Sequence, residues 1–311
     1  MPSNQNPSGA LPARFRRPRL LIVGCGDVGV RVLRALSQRT GAPRLRVLAL
    51  TSSPARVSAL RALGAQPLLG NLDQPATLRR LAGLATHVLH LAPPPATGAD
   101  DPRTAALLAA LRLRTPPGAL VYASTSGVYG DCGGAWVAET RPVAPATARA
   151  RRRVAAEQGV RRLGRSGVRA SVLRVPGIYA PDREGGTPEA RLRRGTPVLR
   201  AEDDVFTNHI HADDLARACL AALWHGAPQR VYNVSDATEL PMGDYFDLAA
   251  DLYGLPRPRR IARSAMAAEL GEMQVSFMSE SRRLDAARMA GELGLRLTYP
   301  TVAQGLAVRS R

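Results

Sequence analysis

The chain has 311 residues, 45% of them apolar, and a formal charge of +18. That length supports a sizeable buried core in one large domain or two small ones, and no apolar run approaches the roughly 18–20 residues that span a bilayer, so a membrane partner is not expected. The charge invites a nucleic-acid partner, but all 43 basic residues are arginine and they are scattered along the chain, which points to a compositional bias and leaves a specific nucleic-acid partner unexpected.

Residues 1–17, within MPSNQNPSGALPARFRRP, are polar and proline-rich with no apolar signal region. They read as a flexible tail, and a cytoplasmic location is expected. The first strand is the apolar run Leu20 to Val23, the pattern of a strand buried on both faces. Gly24, Gly26 and Gly29 follow with the spacing G-x-G-x-x-G, and Val30, Leu33 and Leu36 continue at near-helical spacing. Glycines in a strand–turn–helix context allow a tight turn and close backbone approach to a pyrophosphate, whose charge meets the free N–H groups of the helix start. A dinucleotide is therefore expected against Gly24, Gly26, Asp27, Val28 and Gly29.

Leu45 to Leu50 reads as the second strand. A site for NAD(H) usually carries an acidic residue near the end of this strand. Here the chain has Thr51, Ser52 and Ser53, then Arg56. Small hydroxyls with a nearby arginine suit a 2′-phosphate, so NADP(H) is expected over NAD(H), with contacts from Thr51, Ser52 and Arg56. A third strand covers Pro67 to Leu69, and Asn71 and Leu72 follow it where an adenine would lie. Thr86 to Leu91 is a fourth strand, ending at Leu91 and Ala92 on the cofactor edge, and Leu120 to Ala123 is a fifth. Strands alternating with helical stretches predict an α/β, doubly wound parallel sheet. Cys25, Cys132 and Cys219 have neither metal-ligand spacing nor an even count, so no metal site and no disulfide framework is expected.

Four later stretches extend the pattern: STSGVYG (124–130), LRVPGIYAPDR (173–183), TNHIHADDLARACLAAL (207–223) and VYNVSDATELPMGDYFDLAADLYGLP (231–256). Together with the glycine loop they resemble the extended short-chain dehydrogenase/reductase superfamily, of the NAD-dependent epimerase/dehydratase type, from Arg19 to the end. The resemblance implies a Rossmann domain over 18–175 and 206–234 and a smaller, discontinuous C-terminal substrate lobe over 176–205 and 235–311. It places Pro176 and Ile178 beside the nicotinamide.

Such enzymes use a Ser or Thr, a Tyr and a Lys, with the Tyr as acid/base. Thr125 matches the first. Counting back from Glu157 puts Arg153 at the Lys position and Arg149 at the Tyr position, so the pair is absent and the chain contains no lysine to replace it. Arg153 retains donors for a ribose, but a guanidinium does not readily trade a proton. Tyr129 or Tyr179 is the candidate replacement acid/base. Glu157 is expected to pair with Arg153 on the helix surface, and Asp213 and Asp214 to form a helix cap and first-turn acid.

Two functional readings stay open. One is an oxidoreductase or epimerase-like enzyme acting on a carbonyl, an alcohol or a sugar nucleotide through a small-molecule site. The other is a non-catalytic cofactor-binding sensor or assembly factor. The resemblance also implies a homodimer formed through helices on one face of the sheet; light scattering at micromolar concentration should give twice the chain mass, and a monomer would refute the pairing.

Overall fold

The computed structural model describes residues 17–38 and 45–308, so the tail expected over 1–17 lies outside the described residues except for Arg17. In chain order the first half contains β1 (Arg19–Val23), α1 (Asp27–Ser37), β2 (Arg46–Thr51), α2 (Val57–Ala62), β3 (Gln66–Leu69), β4 (His87–His90), α3 (Pro102–Arg112), β5 (Ala119–Thr125), β6 (Trp136–Val137) and α4 (Ala148–Gly164). Next come β7 (Arg169–Val175), β8 (Gly177–Tyr179), α5 (Glu189–Arg193), β9 (Val198–Leu199), β10 (His209–His211), α6 (Ala212–His225) and β11 (Arg230–Asn233). The last part holds α7 (Met242–Tyr253), β12 (Arg260–Ile261), α8 (Met266–Glu269), α9 (Glu272–Met278), β13 (Arg283–Leu284), α10 (Ala287–Leu293) and α11 (Val302–Ala307).

Seven strands form one parallel sheet in the order β11-β7-β5-β4-β1-β2-β3. Successive side chains of a strand point to opposite faces, and the apolar strands use this to build two cores. Leu20 and Ile22 of β1 join Val121, Leu173 and the α6 residues Leu215, Cys219 and Leu223 on one face. Leu21 and Val23 join Leu120, Tyr122, Val172 and the α3 and α4 residues Leu107, Leu111, Ala156 and Val160 on the other. The expected doubly wound parallel sheet is thus present. Its order reverses between β1 and β4, which opens a crevice at the C-terminal ends of these strands, where ligands of such sheets bind.

A third apolar cluster gathers Tyr179, Leu192, Val198, Leu199, Phe246, Ile261, Met278 and Leu306. Side-chain brackets tie segments outside the sheet to it. Asn233, at the end of β11, accepts from Tyr129 Oη at 2.7 Å and donates to the carbonyls of Val137 at 2.9 Å and Asp285 at 3.0 Å. Asp214 is fully buried and accepts from the backbone N–H groups of Thr298 at 2.9 Å and Tyr299 at 2.8 Å. Asp214 is thus a first-turn acid of α6, as expected, and also a bracket to the 298–299 backbone, whereas the expected cap, Asp213, is not the N-cap. The α6 cap is the His211 side chain, which accepts from Asp213 N, while the Asp213 carboxylate pairs with Arg31 at 2.6 Å.

Glu157 also departs from expectation. It is buried, accepts from Ser124 Oγ at 2.6 Å and pairs with Arg174 of β7 at 2.8 Å. A surface pair with Arg153 would leave the carboxylate half-wet, whereas here α4 lies flat on the sheet and turns Glu157 inward to meet a partner from the neighbouring strand. The Arg174 guanidinium also covers the Tyr129 ring at 4.7 Å. Removing one partner of a buried ion pair strands the other charge. Arg174→Met should therefore lower the unfolding free energy by about 3–5 kcal/mol in urea titration at neutral pH, and a loss below about 1 kcal/mol would show that the pair is hydrated in solution.

Candidate functional site

The glycine loop lies at the sheet's switch point. Gly24 has φ +83°, and a Cβ there would sit 2.4 Å from Ala92 N, so only glycine lets the β1 exit press against the β4 exit. Leu91 N and Ala92 N both donate to Val23 O, at 2.8 and 3.1 Å, which locks the two exits together. Gly26 is the opposite case: a Cβ there would meet nothing within 4 Å. Its backbone faces open space, at the helix start where a phosphate needs to approach closely. No side chain caps α1 at Gly26, so the first-turn N–H groups remain available to an anion. The cradle fits a dinucleotide pyrophosphate.

Asp27 stands in the same turn, and its negative charge would repel a phosphate if left alone. It is neutralised by Arg31 at 3.2 Å and approached by Arg183 at 3.4 Å. Arg31 is buried and also binds Asp182 at 2.7 Å and Asp213 at 2.6 Å. One guanidinium thus joins the glycine-loop helix, the segment after β8 and the start of α6. Sequence reasoning missed this hub, because its three carboxylates lie in separate parts of the chain.

At the β2 exit, Thr51 is buried and its Oγ1 accepts from Ser53 N at 3.2 Å, while Ser52 is exposed. Arg56 extends back to the glycine loop and donates to Cys25 O at 2.6 Å. Asn71 and Leu72 are partly buried after β3, and Thr77 Oγ1 accepts from Asn71 N at 2.9 Å. The residues expected around the adenine and its ribose therefore do converge on one side of the glycine loop.

On the other side of the crevice, Thr125 ends β5. Its Oγ1 accepts from Gly127 N at 3.2 Å, which leaves the hydroxyl hydrogen for a ligand. Arg153 Nη1 donates to Ala123 O at 2.8 Å and to Tyr122 Oη at 3.0 Å. Arg149 is exposed, and its guanidinium stacks 4.9 Å from the Phe277 ring of α9. Phe277 belongs to no motif, and nothing local in the sequence signals that contact. Pro176 and Ile178 are partly buried just beyond β7, and Ile178 O accepts from Arg183 at 2.9 Å.

Tyr129 and Tyr179 do not present free hydroxyls. Both rings are buried; Tyr129 donates to Asn233, and Tyr179 donates to Thr301 O at 3.2 Å. Burial pushes both phenols up from their ordinary range. With its ring in the core and its O–H already engaged, each phenol has the geometry of a bracket between segments and presents no free hydroxyl to the crevice. His90, at the end of β4, is likewise buried; its Nε2 meets Thr104 Oγ1 at 2.8 Å, which donates in turn to Asp101 at 2.6 Å. Burial, aided by the Arg153 charge, pushes its imidazole down to about 3, so it stays neutral.

The sequence model described as the NAD dependent epimerase/dehydratase family matches residues 20–235. A conserved protein of unknown function from Silicibacter pomeroyi is 32% identical, with 93% of this chain and 97% of that one covered at a TM-score of 0.74. The UDP-glucuronic acid 4-epimerase of Bacillus cereus, solved with NAD, is 17% identical over 94% and 97% of the two chains, with a TM-score of 0.71. The dTDP-glucose 4,6-dehydratase of Streptomyces venezuelae, solved with NAD, is 23% identical over 93% and 94%, with a TM-score of 0.74. At these last two identities the likeness is one of fold. A comparison with curated proteins finds no match. With two thirds of its length matched by the family model, the chain belongs to the NAD-dependent epimerase/dehydratase family.

Proposed function

We propose that the protein binds a nicotinamide dinucleotide across the C-terminal edge of its sheet and carries out hydride transfer on a carbonyl, an alcohol or a sugar-nucleotide-like substrate. The observation that carries this reading is the open space at Gly26, before an uncapped helix start at the switch point of the sheet. The structural relatives solved with NAD support it. The dinucleotide, when bound, supplies or accepts the hydride. The chain's own residues do the rest: the α1 N–H groups hold phosphate, Asn71 and Leu72 flank the adenine, Leu91 and Ala92 form the floor, and Pro176 and Ile178 wall the nicotinamide.

Arg149 and Arg153 stand at the positions assigned to the family's Tyr and Lys. Arg153 spends one nitrogen on Ala123 O and Tyr122; its other donors suit a ribose hydroxyl. Thr125 offers its O–H to the substrate oxygen. We favour NADP(H), since β2 ends in hydroxyls and Arg56 lies beside the loop. A cytoplasmic location belongs to the same reading, and no helix among the described residues is long and apolar enough to cross a membrane. The second reading, a cofactor-binding sensor or assembly factor without turnover, is favoured by the two arginines, which cannot serve as a Tyr–Lys proton relay.

Calorimetric titration with NADPH and NADH at physiological salt tests the main reading; no affinity for either would exclude it. Gly26→Val should weaken both dinucleotides by about a hundredfold or more, because a side chain would occupy the approach of the phosphate; unchanged affinity in a folded variant would remove the loop from the site. Arg56→Ala should weaken NADPH by about tenfold, the worth of one charged hydrogen bond, with a smaller effect on NADH. Equal loss for the two, or none, would reject contact with a 2′-phosphate.

A further inference from the structure

Arg149, Arg153 and Glu157 lie one helical turn apart and share a face of α4. Glu157 meets Ser124 and Arg153 meets Ala123 O and Tyr122, so this face runs along β5. The helix returns antiparallel to the strand it follows, so its N-terminal turn stands at the ligand-binding edge of the sheet. Arg149 therefore projects one turn, about 5.4 Å, beyond Arg153 in the direction of the strand end that carries Thr125.

The surroundings of Arg149 are unusual for a solvated arginine. One face of its guanidinium lies on Phe277, an exposed aromatic supplied by α9 from the far end of the chain. Stacking on a ring orients the group while its in-plane N–H donors stay unspent. The nearby arginines of the helix have uncharged partners: Ala146 O for Arg151, Gly98 O for Arg152, and Ala123 O with Tyr122 for Arg153. Arg149 and Arg153 also form a like-charge pair one turn apart, which mildly disfavours the helix. An aromatic-oriented guanidinium with free donors, on the helix turn beyond Arg153 and without a carboxylate of its own among the described residues, is suited to an anionic oxygen.

Resting on the hydride-transfer reading, we infer that Arg149 is a catalytic residue that holds a substrate oxyanion by fixed charge, and that the substrates are conjugated carbonyl compounds of the quinone or enone class. The chemistry gives the class. A bound reduced dinucleotide would supply the hydride that bonds to the acceptor and would be left oxidised by two electrons, while the acceptor's π pair would move through the conjugated system onto oxygen. A simple ketone would yield a strongly basic alkoxide that needs a proton during the transfer, and a guanidinium does not give one. A conjugated acceptor yields a phenol-like oxyanion, whose conjugate acid lies near about 10. Arg149 and Thr125 hold that oxyanion by hydrogen bonds, and water protonates it afterwards. Fixed donors aimed at developing oxyanion charge are a strong source of rate.

The test uses 4-nitrophenol as an oxyanion probe, with 4-nitroanisole, its O-methyl ether, as a probe that cannot ionise. Both are titrated into protein saturated with oxidised dinucleotide, whose affinity is measured first. The phenol should bind as its coloured phenolate, visible in absorbance at a pH where the free probe is protonated, and about tenfold or more tighter than the anisole. Arg149→Gln, at an exposed position, should remove that preference and leave dinucleotide affinity unchanged, while Arg149→Lys should restore part of it. Equal binding of the two probes, or a phenolate preference that survives Arg149→Gln, would overturn the role of Arg149 and leave the hydride-transfer reading standing. Absence of dinucleotide binding would overturn both.

Discussion

The carboxylate of Glu157, buried between α4 and the two strands β5 and β7, sets the geometry on which the site depends. A helix lying on a sheet can rotate about its axis unless something fixes it, and apolar packing alone fixes it loosely. A buried charge tolerates only the rotation that keeps its partners. Ser124 and Arg174 are those partners, one from each strand. Once Glu157 is anchored, the 3.6-residue repeat determines where residues one and two turns earlier point. Arg153 lands on the carbonyl of Ala123, and Arg149, one turn earlier, lies on the ring of Phe277.

The glycine loop meets the site from the other side under a different constraint. At Gly24 the backbones of two strand exits nearly touch, and at Gly26 they leave room for a ligand. The first fixes the crevice and the second keeps it open. Arg31 adds a charge constraint, drawing three carboxylates from three segments around one buried guanidinium. The segment after β8 and the start of α6 are thereby held against the same helix whose N–H groups face the crevice. The residues expected to border the nicotinamide, Pro176 and Ile178, are positioned by this tie and by the β8–β10 pairing.

The arginine-rich start of α4 illustrates how one composition supports several different jobs. Arg152 is buried and braces the loop at Gly98, Arg151 turns back onto the carbonyl of Ala146, Arg153 supports the β5 exit and Arg149 rests on Phe277. A run that looks in isolation like a basic patch for nucleic acid is divided by helical periodicity into separate directions. The formal charge of the chain says little about any single one of them, since each guanidinium is defined by what the fold places within reach.

The doubly wound sheet and the glycine loop are legible in the amino-acid order alone. Continuous apolar runs such as Leu20 to Val23 and the strand–turn–helix spacing of Gly24 to Gly29 are local properties, fixed by residues adjacent in the chain. Counting from Glu157 also located Arg149 and Arg153 correctly on one helix face. The partner of Glu157 was not legible: a rule of neighbours one turn apart suggested Arg153, and the true partner came from β7, because burial favours whichever cation can be enclosed with it. The roles of Tyr129, Tyr179 and Asp214 were decided in the same way, by backbone carbonyls, amides and an asparagine brought from distant segments. Phe277 reached Arg149 only through the packing of α9. Local spacing dictates which elements form and which residues share a face; only tertiary packing decides what stands opposite that face, since that depends on contacts between segments the sequence holds far apart.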